Sequence, residues 1–352
     1  MKLMMMLFAV LPLVCPAGEI EDFQAGARER FGEVGGKAAK FLVEGMPAGD
    51  RATLKKEFLM ENLDLALQAR AEFPWAKELP EEVFFNDVLP YASLDETRES
   101  WRAEFLEKCR PLVKDCKTTT EAAQAINREF FKIIKVHYHT GRKAPNQSPS
   151  ESRKLGMATC TGLSIILVDA CRSVGVPARI AGTALWSNKR GNHTWVEIYD
   201  GGEWFYTGAD EYDAKGLNRG WFANDASRAI EHKWEHAIWA TSWEKTGHHF
   251  PMVWDLKNES VPAVNVTARY AAKPVGADGL VYLRVWDRKG GNRIVATLND
   301  EVKTKAGTAD LNDMATLKAK AGEVVRVSFN GETREVKLPA GKTVDLYWNE
   351  LE

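Results

Sequence analysis

The protein has 352 residues, enough for two or three domains at about 150 residues each. With 45% apolar and 27% charged residues it has the balance of a globular protein and is too apolar to stay disordered. A formal net charge of −2 provides no basic footprint, which argues against nucleic acid as a partner.

Lys2, an apolar run from Leu3 to Val14 and the small residues of Cys15-Pro16-Ala17 have the layout of a secretory signal peptide, with cleavage expected after Ala17. The run is too short to span a bilayer, and no other segment is long and apolar enough to do so. Pro16 after Cys15 makes a poor lipoprotein signal. A secreted or periplasmic protein is therefore expected, carrying Cys109, Cys116, Cys160 and Cys171. Cys109 and Cys116 flank Pro111, and either close a small disulfide loop or are buried thiols.

Residues 18–117 read as a helical region. Leu54, Phe58, Leu59, Leu63 and Leu67 recur at three- and four-residue spacings and build one apolar face. Pro74, Pro80 and Pro90 interrupt the pattern, which resumes over "SLDETRESWRAEFLEKC". Thr118 with Glu121 is a capping-box signature before the periodic "EAAQAINREFFKII". Residues 140–156 are polar with two prolines, hence a loop. A helix then runs from about Thr161 to Val174, stopped by Gly175 and Pro177. Strands follow in "ARIAGTALW", "HTWVEIYD" and "EWFYTGAD", the last two joined at Gly201-Gly202 as a hairpin. A core domain over 118–270 is expected to give way at 271–352 to short alternating runs, the pattern of a small β-sandwich. No internal repeat is evident.

The two cysteines near residue 165 have unlike surroundings. Cys160 stands where a helix begins, so unpaired first-turn N–H groups and the positive dipole end favour its thiolate. Cys171 falls on the helix's apolar stripe with Leu163 and Leu167, where burial leaves a thiol inert. Eleven helical residues separate them by roughly 16 Å, too far for a disulfide. A hairpin centred on Gly201-Gly202 has cross-strand partners summing to 403. That sum sets Glu197 opposite Tyr206, Tyr199 opposite Trp204, Trp195 opposite Gly208, and His193 opposite Asp210. Cys160, His193 and Asp210 could then act as nucleophile, base and orienting acid. A bulge near Gly208-Ala209 would substitute Glu211 for Asp210.

"CTGLSIILVDACRSVGVPARIAGT" followed by "NHTWVEIYDGGEWFYTGADE" resembles the core of the transglutaminase-like superfamily. The resemblance covers about residues 120–270. It implies an α+β, papain-like cysteine core, with the helical region before it and the β-sandwich after. It also implies acyl transfer on protein or peptide amides, to water or to an amine, by Cys160, His193 and Asp210. The family's acid commonly stands in Asp-Pro a few residues after the strand's Trp. Here "GADEY" lies further on and lacks the proline, so Asp210 and Glu211 both stay open. The Cys160 N–H is a natural oxyanion donor, with Gln147 and Asn192 as candidates for the second. Arg179 is expected to brace the core. No metal or cofactor is called for, and a non-catalytic binding or scaffold protein retaining the fold is the alternative.

Other motifs carry less. His232 to His236 fits the His-x-x-Glu-His zinc pattern, but no third ligand suggests itself, and a surface helix near the cleft is the plainer reading. His248-His249 reads as a loop pair. Trp195, Trp204, Trp221, Trp234, Trp239 and Trp243 are either core or rim. The glycosylation sequon at Asn192 would put a glycan beside His193 and is set aside.

Overall fold

The computed structural model describes residues 18–271, 280–306, 315–320, 322–338 and 343–351. The expected signal peptide at 1–17 lies outside the described residues.

The N-terminal half is helical. Helix α1 (Gly18–Gly45) breaks at Gly32, whose φ of 65° suits a residue without Cβ. It packs on α3 (Lys56–Glu72), after the short α2 (Ala48–Thr53). Two short helices follow, α4 (Pro74–Lys77) and α5 (Glu81–Asp87). Residues 88–101 are not helical, although the pattern of "SLDETRES" points to helix. The Glu96 carboxylate accepts from the backbone of Ser93 and Leu94 and holds them in a turn. Helix α6 (Arg102–Val113) runs through Pro111, and Cys109 is buried within it. Cys109 and Cys116 are both free thiols, so the small disulfide loop does not form. Helix α7 (Thr119–Ile134) is capped by the Thr118 hydroxyl, as the sequence pattern indicates, while Glu121 reaches back to the N–H of Lys117.

The next segment prepares the site. Strand β1 (His137–Tyr138) pairs in parallel with β2 (Met157–Ala158). Between them the expected loop contains a helix, α8 (Pro149–Leu155). Ser148 and Glu151 form a complete capping box there, with Pro149 at the first position. Helix α9 (Cys160–Ser173) follows at once, and every residue from Thr161 to Ser173 is buried. It is a central helix buried on every side, polar residues such as Ser164, Asp169 and Arg172 included, where burial of one apolar stripe was expected. Helices α3, α6 and α7 pack around it, as does the sheet.

That sheet has five antiparallel strands in the order β5-β4-β3-β6-β7: β3 (Ala178–Thr183), β4 (His193–Asp200), β5 (Glu203–Thr207), β6 (Trp239–Thr241) and β7 (Ala263–Asn265). Alternation along β4 separates two apolar clusters. Val196 and Ile198 join the large helical core with α9, and Trp195 joins an aromatic cluster with Trp186, Trp221 and Phe222. The short helices α10 (Ala223–Ala226) and α11 (Thr267–Ala271) meet on that aromatic side.

The remaining strands form two small sheets. One has the order β11-β8-β14, with β8 (Leu280–Trp286), β11 (Ala315–Lys318) and β14 (Thr343–Tyr347). The other has β10-β9-β12-β13, with β9 (Thr297–Leu298), β10 (Val302–Lys303), β12 (Val324–Phe329) and β13 (Glu332–Lys337). Leu283, Leu317 and Val344 from the first share one apolar cluster with Leu298, Val325 and Val327 from the second. The architecture is α+β. Among the described residues no helix is long and apolar enough to cross a membrane.

Candidate active site

Cys160 is the first residue of α9, and Thr159 before it is the N-cap. The Thr159 side chain makes no capping bond, because its hydroxyl accepts from Arg142 Nε at 3.1 Å. The first turn of α9 thus lacks a side-chain cap from Thr159, and its N–H groups point their positive dipole end at the cavity side of the helix start. Cys160 is half-buried and lines a cavity of about 240 Å³ together with Arg142, Thr161, Arg190, Gly191 and Asn192. Cys171, eleven residues on, is fully buried, and burial pushes its thiol well above the ordinary range. Burial likewise pushes Cys109 up to about 12.

His193 opens β4 opposite Thr183 of β3. Its neighbour Thr194 accepts a 3.2 Å bond from the hydroxyl of Thr161, the residue after Cys160. The residues flanking Cys160 and His193 are thus joined across the α9–β4 junction, and the turn leading into β4 supplies Gly191 and Asn192 to the cavity. The imidazole is 2% exposed, with ring centroids of Trp221 at 4.6 Å, Phe222 at 4.7 Å and Trp195 at 5.7 Å. Desolvation by these rings lowers its pKa to about 3, so the ring is neutral near pH 7.

The hairpin has the register expected from its turn, with Glu197 opposite Tyr206 and Tyr199 opposite Trp204. The pairing stops at Val196 opposite Thr207, three residues short of the acids. Gly208 to Glu211 then form a turn closed by the Glu211 N–H on the Gly208 carbonyl, with Asp210 at φ 61°. The expected placement of Asp210 opposite His193 is therefore not the one adopted. Its N–H donates to Asn127 Oδ1, and its carboxylate meets His137 Nδ1 at 2.8 Å. Burial raises the Asp210 pKa, against the lowering effect of His137. Glu211 instead folds back over Gly208, where an added Cβ would collide with its carboxylate. Its Oε1 accepts from Trp221 Nε1 at 3.1 Å, and the Trp221 ring lies against His193.

Of the two oxyanion candidates, Asn192 lines the cavity. Gln147 is 1% exposed, and its amide is spent on the loop. Oε1 accepts from the N–H groups of Lys143 and Ala144, while Nε2 donates to Ser152 and to the Met157 carbonyl. Gln147 thus ties residues 143–157 together and offers no amide proton to the cavity.

Arg179 is a brace. It donates to Glu197 at 2.8 Å and lies 3.7 Å over the Trp204 ring, while Arg269 and Tyr270 bond the same carboxylate. The His232–His236 motif does not form an α-helix. Trp234–His236 is a single 3₁₀ turn, and buried His236 bonds the Leu185 carbonyl through Nδ1. The zinc pattern needs its two histidines one turn apart on an α-helix, and only a single 3₁₀ turn forms here. Among the described residues no group of three His, Cys, Asp or Glu could hold a metal ion. His248 and His249 pack on Trp239 and Trp234. Trp195, Trp221, Trp239 and Trp243 are buried, and Trp195 and Trp221 wall in His193.

Sequence reasoning missed Arg142, Arg190 and His137. Arg142 lies in a polar loop and Arg190 in a turn between strands, and neither carries a local motif. Only the long-range pairing of β1 with β2 and of β3 with β4 brings them to Cys160 and its surroundings.

Residues 107–209 match the family model described as the transglutaminase-like superfamily. Among solved structures, a "putative cysteine protease" from Cytophaga hutchinsonii is 20% identical with a TM-score of 0.31, over 42% of this protein and 48% of that one. A "putative protease" from Parabacteroides distasonis is 8% identical with a TM-score of 0.28, over 72% of this protein and 38% of that one. Red sea bream transglutaminase is 9% identical with a TM-score of 0.29, over 80% of this protein and 52% of that one. The sequence thus spans about half or less of the length of each of these proteins. No protein of curated function matches it.

Proposed function

From the premise that residues 107–209 carry a transglutaminase-superfamily core, we propose that the protein is a cysteine-dependent enzyme acting on amide carbonyls of proteins or peptides. The observation that carries this reading is Cys160, half-buried at the start of α9, opening onto a cavity shared with the segment that leads into His193. In this reading the Cys160 sulfur attacks the carbonyl carbon, forming a C–S bond as the amide C–N bond breaks. His193, neutral at rest in its aromatic enclosure, takes the thiol proton only as the thiolate forms, the negative sulfur offsetting the desolvation that disfavours the imidazolium, and passes it to the departing amine. The Cys160 N–H faces the developing oxyanion, with Asn192 beside it. The acyl group then leaves the sulfur for water or for a second amine.

Glu211 is favoured over Asp210 as the acid behind His193. Its carboxylate bonds the indole that lies against the imidazole, whereas the Asp210 carboxylate is engaged by His137. Glu211→Gln should therefore lower turnover by more than Asp210→Asn. Equal losses, or a larger loss in Asp210→Asn, would reverse the assignment.

The reaction is tested by mixing wild type or Cys160→Ala with a broad protein substrate and a labelled primary amine. Amine incorporation by wild type alone indicates transamidation, and new polypeptide termini indicate hydrolysis. Neither product from wild type would favour the binding or scaffold alternative. Export through residues 1–17 belongs to the same reading, and N-terminal sequencing of protein recovered outside the cytoplasm should begin at Gly18.

A further inference from the structure

The cavity beside Cys160 is lined by two arginines, Arg142 and Arg190, and by no acidic residue. Their charges are not equivalent. Arg190 is already neutralised, donating through Nη2 to both carboxylate oxygens of Asp225 and through Nη1 to Asp345 of β14 at 2.7 Å. Arg142 has only neutral acceptors. Its Nε donates to the Thr159 hydroxyl at 3.1 Å and its Nη1 to the Thr140 carbonyl at 3.3 Å. Among the described residues no carboxylate pairs with it. Asp95, bonded to Asn146 of the same loop, spends Oδ1 on that amide and Oδ2 on the Trp254 indole.

A guanidinium has five N–H donors in a planar fork. Two are spent on positioning the group against the residue before Cys160, and the rest have no acceptor among the described residues. An anchored, half-buried cation with unspent donors, in a cavity without acids, fits a planar anion that accepts two parallel bonds. The first-turn N–H groups of α9 add to the same positive field.

We infer that Arg142 binds a carboxylate of the substrate, so that the acyl donor carries an acidic group beside the carbonyl that Cys160 attacks. This rests on the reading of Cys160 as the nucleophile and adds the substrate class. The carboxylate belongs either to an Asp or Glu residue or to the free C-terminus of a peptide.

Two alkylating reagents test the subsite without any knowledge of the natural substrate. Iodoacetate and iodoacetamide transfer nearly the same group to a thiolate with loss of iodide, one bearing a carboxylate and the other a neutral amide. The Cys160 rate with iodoacetate, divided by its rate with iodoacetamide, is measured by mass spectrometry and compared with the same ratio for N-acetylcysteine. Division cancels changes in access or thiolate content that act on both reagents, so a purely structural role for Arg142 would not move it. In wild type the ratio should exceed that of N-acetylcysteine by about tenfold, the size of one partly screened charge pair. It should fall most of the way towards the N-acetylcysteine value in Arg142→Gln, where only the helix-end field remains, recover substantially in Arg142→Lys, and decline with added salt. An unchanged ratio in Arg142→Gln overturns the inference. Failure of iodoacetamide to label wild-type Cys160 at all sinks the nucleophile reading itself, and the subsite with it.

A second arm identifies the carboxylate's source. Three N-acetylated peptides, an amidated one with an internal Glu, an amidated one with Gln and one with Gln and a free C-terminus, compete against iodoacetamide. Better protection by either acidic peptide supports the subsite and names the source, and no difference among the three overturns it.

Discussion

The contact between Thr161 and Thr194 is small, but it sets the first turn of α9 against the start of β4, and so Cys160 against the strand that carries His193. Thr161 is 2% exposed and Thr194 5%, and their hydroxyls meet at 3.2 Å. Thr161→Val keeps the shape, removes one hydroxyl and strands the other in a dry site. A lost hydrogen bond costs about 1 kcal/mol net, and an unsatisfied buried hydroxyl about 1–3 kcal/mol. Each single change, Thr161→Val or Thr194→Val, should therefore cost about 2 kcal/mol. The double variant leaves no orphan and should cost little more than either one, giving a coupling energy of about 1–2 kcal/mol. Urea melts of the four proteins measure the cycle. For a slope of about 3 kcal/mol/M, each single variant should move its midpoint by about 0.7 M. Rates of Cys160 alkylation by iodoacetamide provide a local readout on the same four proteins, and both singles should change that rate more than the double. Additive midpoints would show that the two hydroxyls are independent and that the junction is held by apolar packing alone.

In the native protein iodoacetamide should modify Cys160 well ahead of Cys109 and Cys171. A thiol held at about 12 has roughly a thousandth of the thiolate of one at 9, even before access is counted. Peptide mapping that finds Cys109 modified at the Cys160 rate would refute this. Acid should weaken the fold through His193. Its native pKa of about 3 lies below the ordinary 6.5, so from 6.5 downward the unfolded state takes up a proton that the native ring refuses. The cost is up to about 1.4 kcal/mol per pH unit until pH approaches 3. Asp87, raised to about 6 by burial, works in the opposite sense between 6 and 3.8. The difference between wild type and His193→Phe isolates the histidine, and parallel stability–pH curves would contradict the burial argument. Glu197→Gln should cost about 3–5 kcal/mol in a thermal or urea melt. It leaves Arg179 and Tyr270 buried around an amide that cannot accept as the carboxylate did. A loss under about 1 kcal/mol would show that solvent reaches the site.

Local chemistry alone determined the α9 start, the β4–β5 hairpin and the separation of Cys160 from Cys171. Each depends on neighbours within one element: a helix end, a turn centre, a residue on a helix interior. The pairing of His193 with Asp210 was a longer extrapolation, and it failed where the ladder ended. Two-residue alternation holds only while strands stay bonded, and the turn at Gly208–Glu211 reset the direction of both acids. The α8 capping box was present in "SPSE" but lay hidden inside a polar stretch whose prolines suggested a loop. The His232–His236 motif failed for the converse reason, since the zinc pattern depends on an α-helix and only a single 3₁₀ turn forms.

Only the tertiary structure decided what surrounds the sulfur. Arg142 comes from before α8, Arg190 from the β3–β4 turn, and the Asp345 that neutralises Arg190 from the far end of the sequence. None of these lies within a helix turn of Cys160 in sequence, and no periodic pattern links them. Residue spacing records contacts made within an element. The charge of a cavity is a sum over distant segments, and it exists only once they are packed together.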